Sequence, residues 1–169
     1  KYRGIFINDE DYGLNPWAQA GIDKDVNSIG PRTYERVCEL LLRLNANMLY
    51  PAMHSRTKAF YTIPENKVVA DRYGITVGTS HHEPLNFNPA SEWDDKIHGE
   101  WNYEKNPQMM DKMMKARVQE AAPYENNYTI ALRGSDDFAM AGSNDVKERL
   151  ATVQRALAAQ RQIIEDVYG

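Results

Sequence analysis

Tyr2-Arg3-Gly4-Ile5-Phe6-Ile7, followed at once by Asn8-Asp9-Glu10-Asp11, is the stretch that decides the fold. A short apolar run closing in ionisable residues is the pattern of a buried strand whose end opens on a polar site. The same rhythm recurs three times. Asn47-Met48-Leu49-Tyr50 ends in Pro51-Ala52-Met53-His54. Ile75-Thr76-Val77-Gly78-Thr79 ends in Ser80-His81-His82-Glu83-Pro84, and Tyr128-Thr129-Ile130-Ala131-Leu132 in Arg133-Gly134-Ser135-Asp136-Asp137.

Helical patterns fill the intervals. Gly30-Pro31 opens the first, with proline where its missing N–H costs nothing, and Val37, Leu40, Leu41 and Leu44 form one apolar stripe. A second runs over about 66–73 and stops at Gly74, a C-terminal cap. Asn106-Pro107 opens a third, whose Met109, Met110, Met113 and Val118 face a core. The last starts near Ser143-Asn144-Asp145, with Val146, Leu150, Val153, Leu157 and Ile164 on its buried side. The segment with Gly13, Pro16 and Gly21 reads as a loop, as does the polar stretch 85–103.

Strands alternating with helices make consecutive βα units and a parallel sheet, hence an α/β fold. No G-x-G-x-x-G follows the first strand and no G-x-x-x-x-G-K-[ST] occurs, so nucleotide sites of those kinds have no support. Polar chemistry at all four strand ends favours a (β/α)8 TIM-type barrel, which gathers its strand ends at one mouth. Four units are half of such a barrel, whose usual length is about 250 residues. Residues 1–169 are therefore expected to form strands 1–4 and their helices, a partial catalytic barrel domain completed by sequence outside this chain.

The net charge of −4, the pI near 5.6 and the lack of a basic stripe exclude nucleic acid and anionic membrane as main partners. No apolar run reaches the roughly 18–20 residues of a spanning helix. Cys38 is the single cysteine, so neither an internal disulfide nor a thiolate cluster can form. It lies beside the apolar stripe of its helix and reads as a buried, inert thiol.

In an extended strand end Asp9 and Asp11 share one face and Glu10 takes the other. Crowded carboxylates raise one another's pKa, as general-acid work requires; a solvated acidic turn is the alternative. Pro84 holds Glu83 extended. His81 and His82 with His54 contain zinc-type donors, but adjacent side chains on an extended chain point apart and H-E-x-x-H is absent. No metal and no cofactor are therefore expected, and the histidines either orient a polar ligand or bond to neighbouring loops. Arg133 suits a carboxylate clamp, or an ion pair with Asp136. Ser135 lacks the G-x-S-x-G context of a nucleophile. Trp17, Trp93, Trp101, Tyr50, Tyr61 and Tyr103 are placed to stack on sugar rings or to pack loops. Together these features point to glycoside hydrolysis by two carboxyl groups flanking the scissile bond.

At this point Arg3-Gly4-Ile5-Phe6-Ile7-Asn8-Asp9-Glu10-Asp11-Tyr12-Gly13-Leu14 with Pro16-Trp17-Ala18 resembles the start of the catalytic barrel in family 115 glycoside hydrolases. The resemblance continues through Ile29-Gly30-Pro31, Pro51-Ala52-Met53-His54, Ala70-Asp71-Arg72-Tyr73-Gly74-Ile75, Gly78-Thr79-Ser80-His81, Glu83-Pro84 and Arg133-Gly134. It implies an α-glucuronidase removing α-1,2-linked (4-O-methyl)-glucuronic acid from xylan with inversion, in a secreted or periplasmic protein with accessory domains. It also implies a catalytic set drawn from Asp11, Glu83, Asp136 and Asp137. Asp9, Glu10, His54, His81, His82, Arg133 and Trp17 are then expected to bind the substrate, glucuronoxylan or its oligosaccharides. A metal-dependent hydrolase using His54, His81 and an Asp, or a non-catalytic sugar-binding barrel, are the competing readings.

Overall fold

The computed structural model describes residues 1–8 and 10–169, which divide into two compact units. The first comprises 1–80 with 124–127, the second 81–123 with 128–169.

The first unit is a parallel sheet with its helices. Strands β1 (Gly4–Phe6), β2 (Met48–Tyr50), β3 (Thr76–Gly78) and β4 (Asn126–Asn127) pair in sequential order, all parallel. Nowhere in this sheet does the order reverse, as the switch point of a doubly wound sheet would require. Close strand approach explains two glycines: a Cβ on Gly4 would collide with the Met48 carbonyl, and one on Gly78 with the Tyr50 ring.

Between the strands lie α1 (Leu14–Ala20), α2 (Pro31–Arg43) and α3 (Pro64–Arg72). Gly74 follows α3 at φ +62, the left-handed cap its position predicted. Helix α1 corrects the loop reading of its segment: Pro16 falls in the first turn, where a missing N–H breaks no helical bond. Helix α2 buries Thr33, Tyr34, Cys38 and Leu41, while Leu40 and Leu44 are exposed, so its inward face is rotated from the expected stripe. Cys38 is buried as expected, and burial pushes its thiol up to about 11.

The second unit is built on α4 (Pro89–Glu92), α5 (Asp95–His98), α6 (Pro107–Ala121) and α7 (Val146–Tyr168). The stretch read as a polar loop supplies much of its core: Leu85, Phe87, Trp101 and Tyr103 pack with Met110, Met114, Val118, Ala156 and Ile163. Asp145 caps α7, accepting from the Lys147 and Glu148 N–H groups. Its buried face is Thr152, Ala156, Gln160 and Ile163, whereas Val146, Leu150 and Val153 are exposed, contrary to the apolar-stripe expectation.

The fourth strand is also shifted. Pairing with β3 occurs at Asn126–Asn127, and 128–132 carries no ladder. Other partners take that segment's backbone groups. The Thr129 carbonyl accepts from the Leu85 N–H, and the Gln160 amide accepts from the Ala131 N–H at 2.9 Å and donates to the Ala131 carbonyl at 2.7 Å. A buried side-chain amide thus satisfies the backbone that a strand edge would otherwise expose. Among the described residues no helix is long and apolar enough to cross a membrane.

Candidate functional site

In the first unit β1 runs into a 3-10 turn at Glu10–Tyr12, and β2 into the segment 51–54. Glu10 is only 2% exposed. Its Oε1 accepts from the backbone N–H groups of Met53 at 2.8 Å and His54 at 2.9 Å. Through that oxygen the carboxylate ties the segment after β1 to the segment after β2, leaving Oε2 for the site. Its Oε2 faces His54 Nδ1 at 3.7 Å, and Asp11 Oδ2 lies 3.3 Å from the same nitrogen. Glu10 Oε2 and Asp11 Oδ1 are buried acceptors with no hydrogen-bond partner among the described residues. The arrangement is rich in acceptors and suits a ligand that donates hydroxyl protons. Asp9 lies outside the described residues. Trp17 sits on α1, half exposed, with its ring free for contact.

The second unit carries the other cluster. His81 and His82 occupy a turn, not an extended strand, so their rings meet edge to face at 4.9 Å. His81 Nε2 lies 2.8 Å from Asp137 Oδ1. Arg133 Nη2 donates to the Asp137 carbonyl at 2.8 Å and to Oδ1 at 2.7 Å. Hydrogen bonding from His81, helped by the Arg133 charge, holds the exposed Asp137 carboxyl below its usual range. Asp136 turns back to accept from the Asp137 N–H at 2.8 Å, an intraloop contact. The Trp101 indole donates to the Arg133 carbonyl at 3.0 Å, which fixes the backbone at Arg133. Arg133 Nε is buried without a hydrogen-bond partner among the described residues.

His82 is 1% exposed, and among the described residues neither ring nitrogen has a hydrogen-bond partner. Burial lowers its pKa, with the neighbouring His81 acting in the same direction, which favours the neutral ring. Among the described residues His81, His82 and Asp137 form a group with metal-ligand spacing, one donor atom of each lying within 4.8 Å of the others. The turn removes the premise that adjacent histidines point apart. Glu83 is buried and accepts from Asn88 Nδ2 at 2.8 Å.

Several residues here escaped the sequence reading. Arg149, which the sequence did not single out, lines a cavity of about 320 Å³ with Glu104, Leu132, Arg133, Met140 and Val153. Two guanidinium groups at one cavity suit an anionic ligand. Glu104 tethers the cavity loop by accepting from the Ser143 N–H at 3.1 Å. Asn88 positions Glu83 and also caps α4; Asn-Pro before a helix was a legible signal for it. Of the aromatic residues, Trp101, Tyr103 and Tyr61 are buried, so for them loop and core packing replaces sugar stacking.

Sequential parallel βα units, with Glu10, Asp11 and His54 clustered in the first unit and His81, Arg133 and Asp137 in the second, define an α/β protein. The chain belongs to glycosyl hydrolase family 115, whose family model matches residues 1–169. A solved structure of a family GH115 4-O-methyl-alpha-glucuronidase with specificity for decorated arabinogalactans is similar to it, with 44% identity and a TM-score of 0.91. The match covers 98% of this chain and 22% of that one, so the chain spans about a fifth of the relative's length. No curated protein matches the chain.

Proposed function

We propose that this chain is the N-terminal half of a catalytic (β/α)8 barrel that removes α-1,2-linked (4-O-methyl)-glucuronic acid side chains from xylan. The observation that carries the reading is Arg133 at a cavity wall with a buried, unpartnered Nε, beside His81 and Asp137, in a chain of family 115. Arg133 clamps the uronate carboxylate, with Arg149 adding positive charge and His81, His82, His54, Trp17, Asp9 and Glu10 shaping the subsites. Asp11, Glu83, Asp136 and Asp137 are the carboxylates from which the catalytic pair is drawn. Inversion needs one carboxyl to protonate the leaving oxygen and another to activate water. Asp137, held ionised by His81, suits the base side of that pair. The rest of the barrel and the accessory domains complete the protein, which acts outside the cytoplasm on polysaccharide.

The decorated-arabinogalactan specificity of the similar enzyme favours a second substrate reading, glucuronic acid capping arabinogalactan side chains. Incubating the full-length protein with glucuronoxylan and with arabinogalactan separates the two, and release of glucuronic acid from neither sinks both. Full activity after EDTA treatment eliminates the metal-dependent alternative. Sugar binding with no turnover would favour the non-catalytic one.

A further inference from the structure

His82 poses a problem that the glycosidase reading does not solve. A buried imidazole with both ring nitrogens unpartnered is costly, because water's hydrogen bonds are lost and nothing replaces them. Close to it are His81, ring to ring at 4.9 Å, and Asp137, which His81 already touches at 2.8 Å. One atom from each of the three lies within 4.8 Å of the others. Ligand atoms at about 2.0–2.2 Å from a tetrahedral zinc stand roughly 3.3–3.5 Å apart. Drawing the three together takes about an ångström, and the exposed Asp137 loop and His81 are free to supply it.

We propose that His81, His82 and Asp137 form a binding site for a divalent transition cation of the zinc class. Two imidazoles and one carboxylate are a borderline-soft donor set, suited to zinc, cobalt or nickel and unsuited to calcium or magnesium, which want oxygen ligands. Three protein ligands leave one position open to water. The cation satisfies one orphan nitrogen of His82 and competes with Arg133 for Asp137, since the guanidinium sits 2.7 Å from Asp137 Oδ1. Occupancy therefore breaks the Arg133–Asp137 pair. Because Asp137 is the carboxylate assigned to the base side of the reaction, a cation bound to it withdraws that base, and the site is inhibitory rather than catalytic. The inhibition, though not the binding, rests on the glucuronidase reading above.

The test uses the full-length protein, stripped with chelator and titrated with zinc chloride by calorimetry, beside His82→Gln and Asp137→Asn. Asp137 is exposed, so its variant keeps the fold even where loss of the buried His82 perturbs it. The wild type should bind one equivalent more than either variant, or bind it on the order of tenfold more tightly. Cobalt in place of zinc should give the intense visible band of a four-coordinate site in the wild type alone. Equal stoichiometry and affinity in all three proteins, or no zinc binding by the wild type, overturns the proposal. Zinc should also lower the rate of glucuronic acid release, and EDTA should restore it. Activity indifferent to zinc bound at these residues removes the inhibition. Zinc bound there by a protein that releases no glucuronic acid leaves the site standing and removes the glucuronidase reading.

Discussion

Glu10 and Asp137 both follow strands and both sit beside a histidine, yet they are held in opposite ways. Glu10 is buried and spends one oxygen on two backbone N–H groups of the neighbouring strand exit. Asp137 is exposed, and its carboxylate bonds to the His81 and Arg133 side chains rather than to backbone N–H groups. A carboxylate satisfied by backbone fixes the chain. One held by mobile charged side chains can exchange them for a ligand. The difference predicts which substitutions damage the fold and which damage the chemistry.

The largest effect is expected at Arg133. Arg133→Lys keeps the charge but loses the planar fork, and kcat/KM on glucuronoxylan should fall about a hundredfold with stability nearly unchanged. An unfolding midpoint that drops as steeply as activity would erase the contrast with Glu10. Next comes Glu10→Ala, which leaves the Met53 and His54 N–H groups without their acceptor and should cost about 3 kcal/mol in denaturant unfolding. Glu10→Gln keeps a neutral acceptor and should cost about half of that. A stable Glu10→Ala protein that has lost only activity would show that Glu10 serves the substrate and not the fold.

Gln160→Leu sharpens the comparison inside the second unit. It strips the Ala131 N–H and carbonyl of their partner and should cost about 2 kcal/mol. Because Ala131 lies two residues before Arg133, the variant should also raise KM, and an unchanged KM would confine Gln160 to the fold. The smallest effect concerns Cys38. With its thiol pushed up to about 11 by burial, it should resist thiol reagents at pH 8 in the native protein and react once denatured. Labelling of the native protein at the rate of a free thiol would show that α2 is not packed as described.

The first three strands were legible because Ile5, Leu49 and Val77 sit in apolar runs bounded by clear signals, including Pro31 and Gly74. Periodicity failed where polar residues do the packing. Helix α7 offers the apolar Val146, Leu150 and Val153, yet it turns Thr152, Ala156 and Gln160 inward. Gln160 is needed there because 128–132 has no strand partner, and hydrophobicity alone cannot register that need. The stretch 85–103 looked like a loop since Asn and Asp dominate it, while its few aromatic residues were enough to anchor a core. At the site, residue types were readable but their tasks were not. Alternation set Glu10 on the opposite face from Asp11, but nothing in the sequence said that its carboxylate would be held by the backbone N–H groups of Met53 and His54. The His81–His82 pair looked divergent only because an extended chain was assumed.

The most direct test is the release of uronic acid from glucuronoxylan by the full-length protein, followed by proton NMR from the first minutes. The account predicts free (4-O-methyl)-glucuronic acid appearing first as the β-anomer, with Arg133→Lys slowed about a hundredfold. Absence of release, or a first-formed α-anomer, would contradict it.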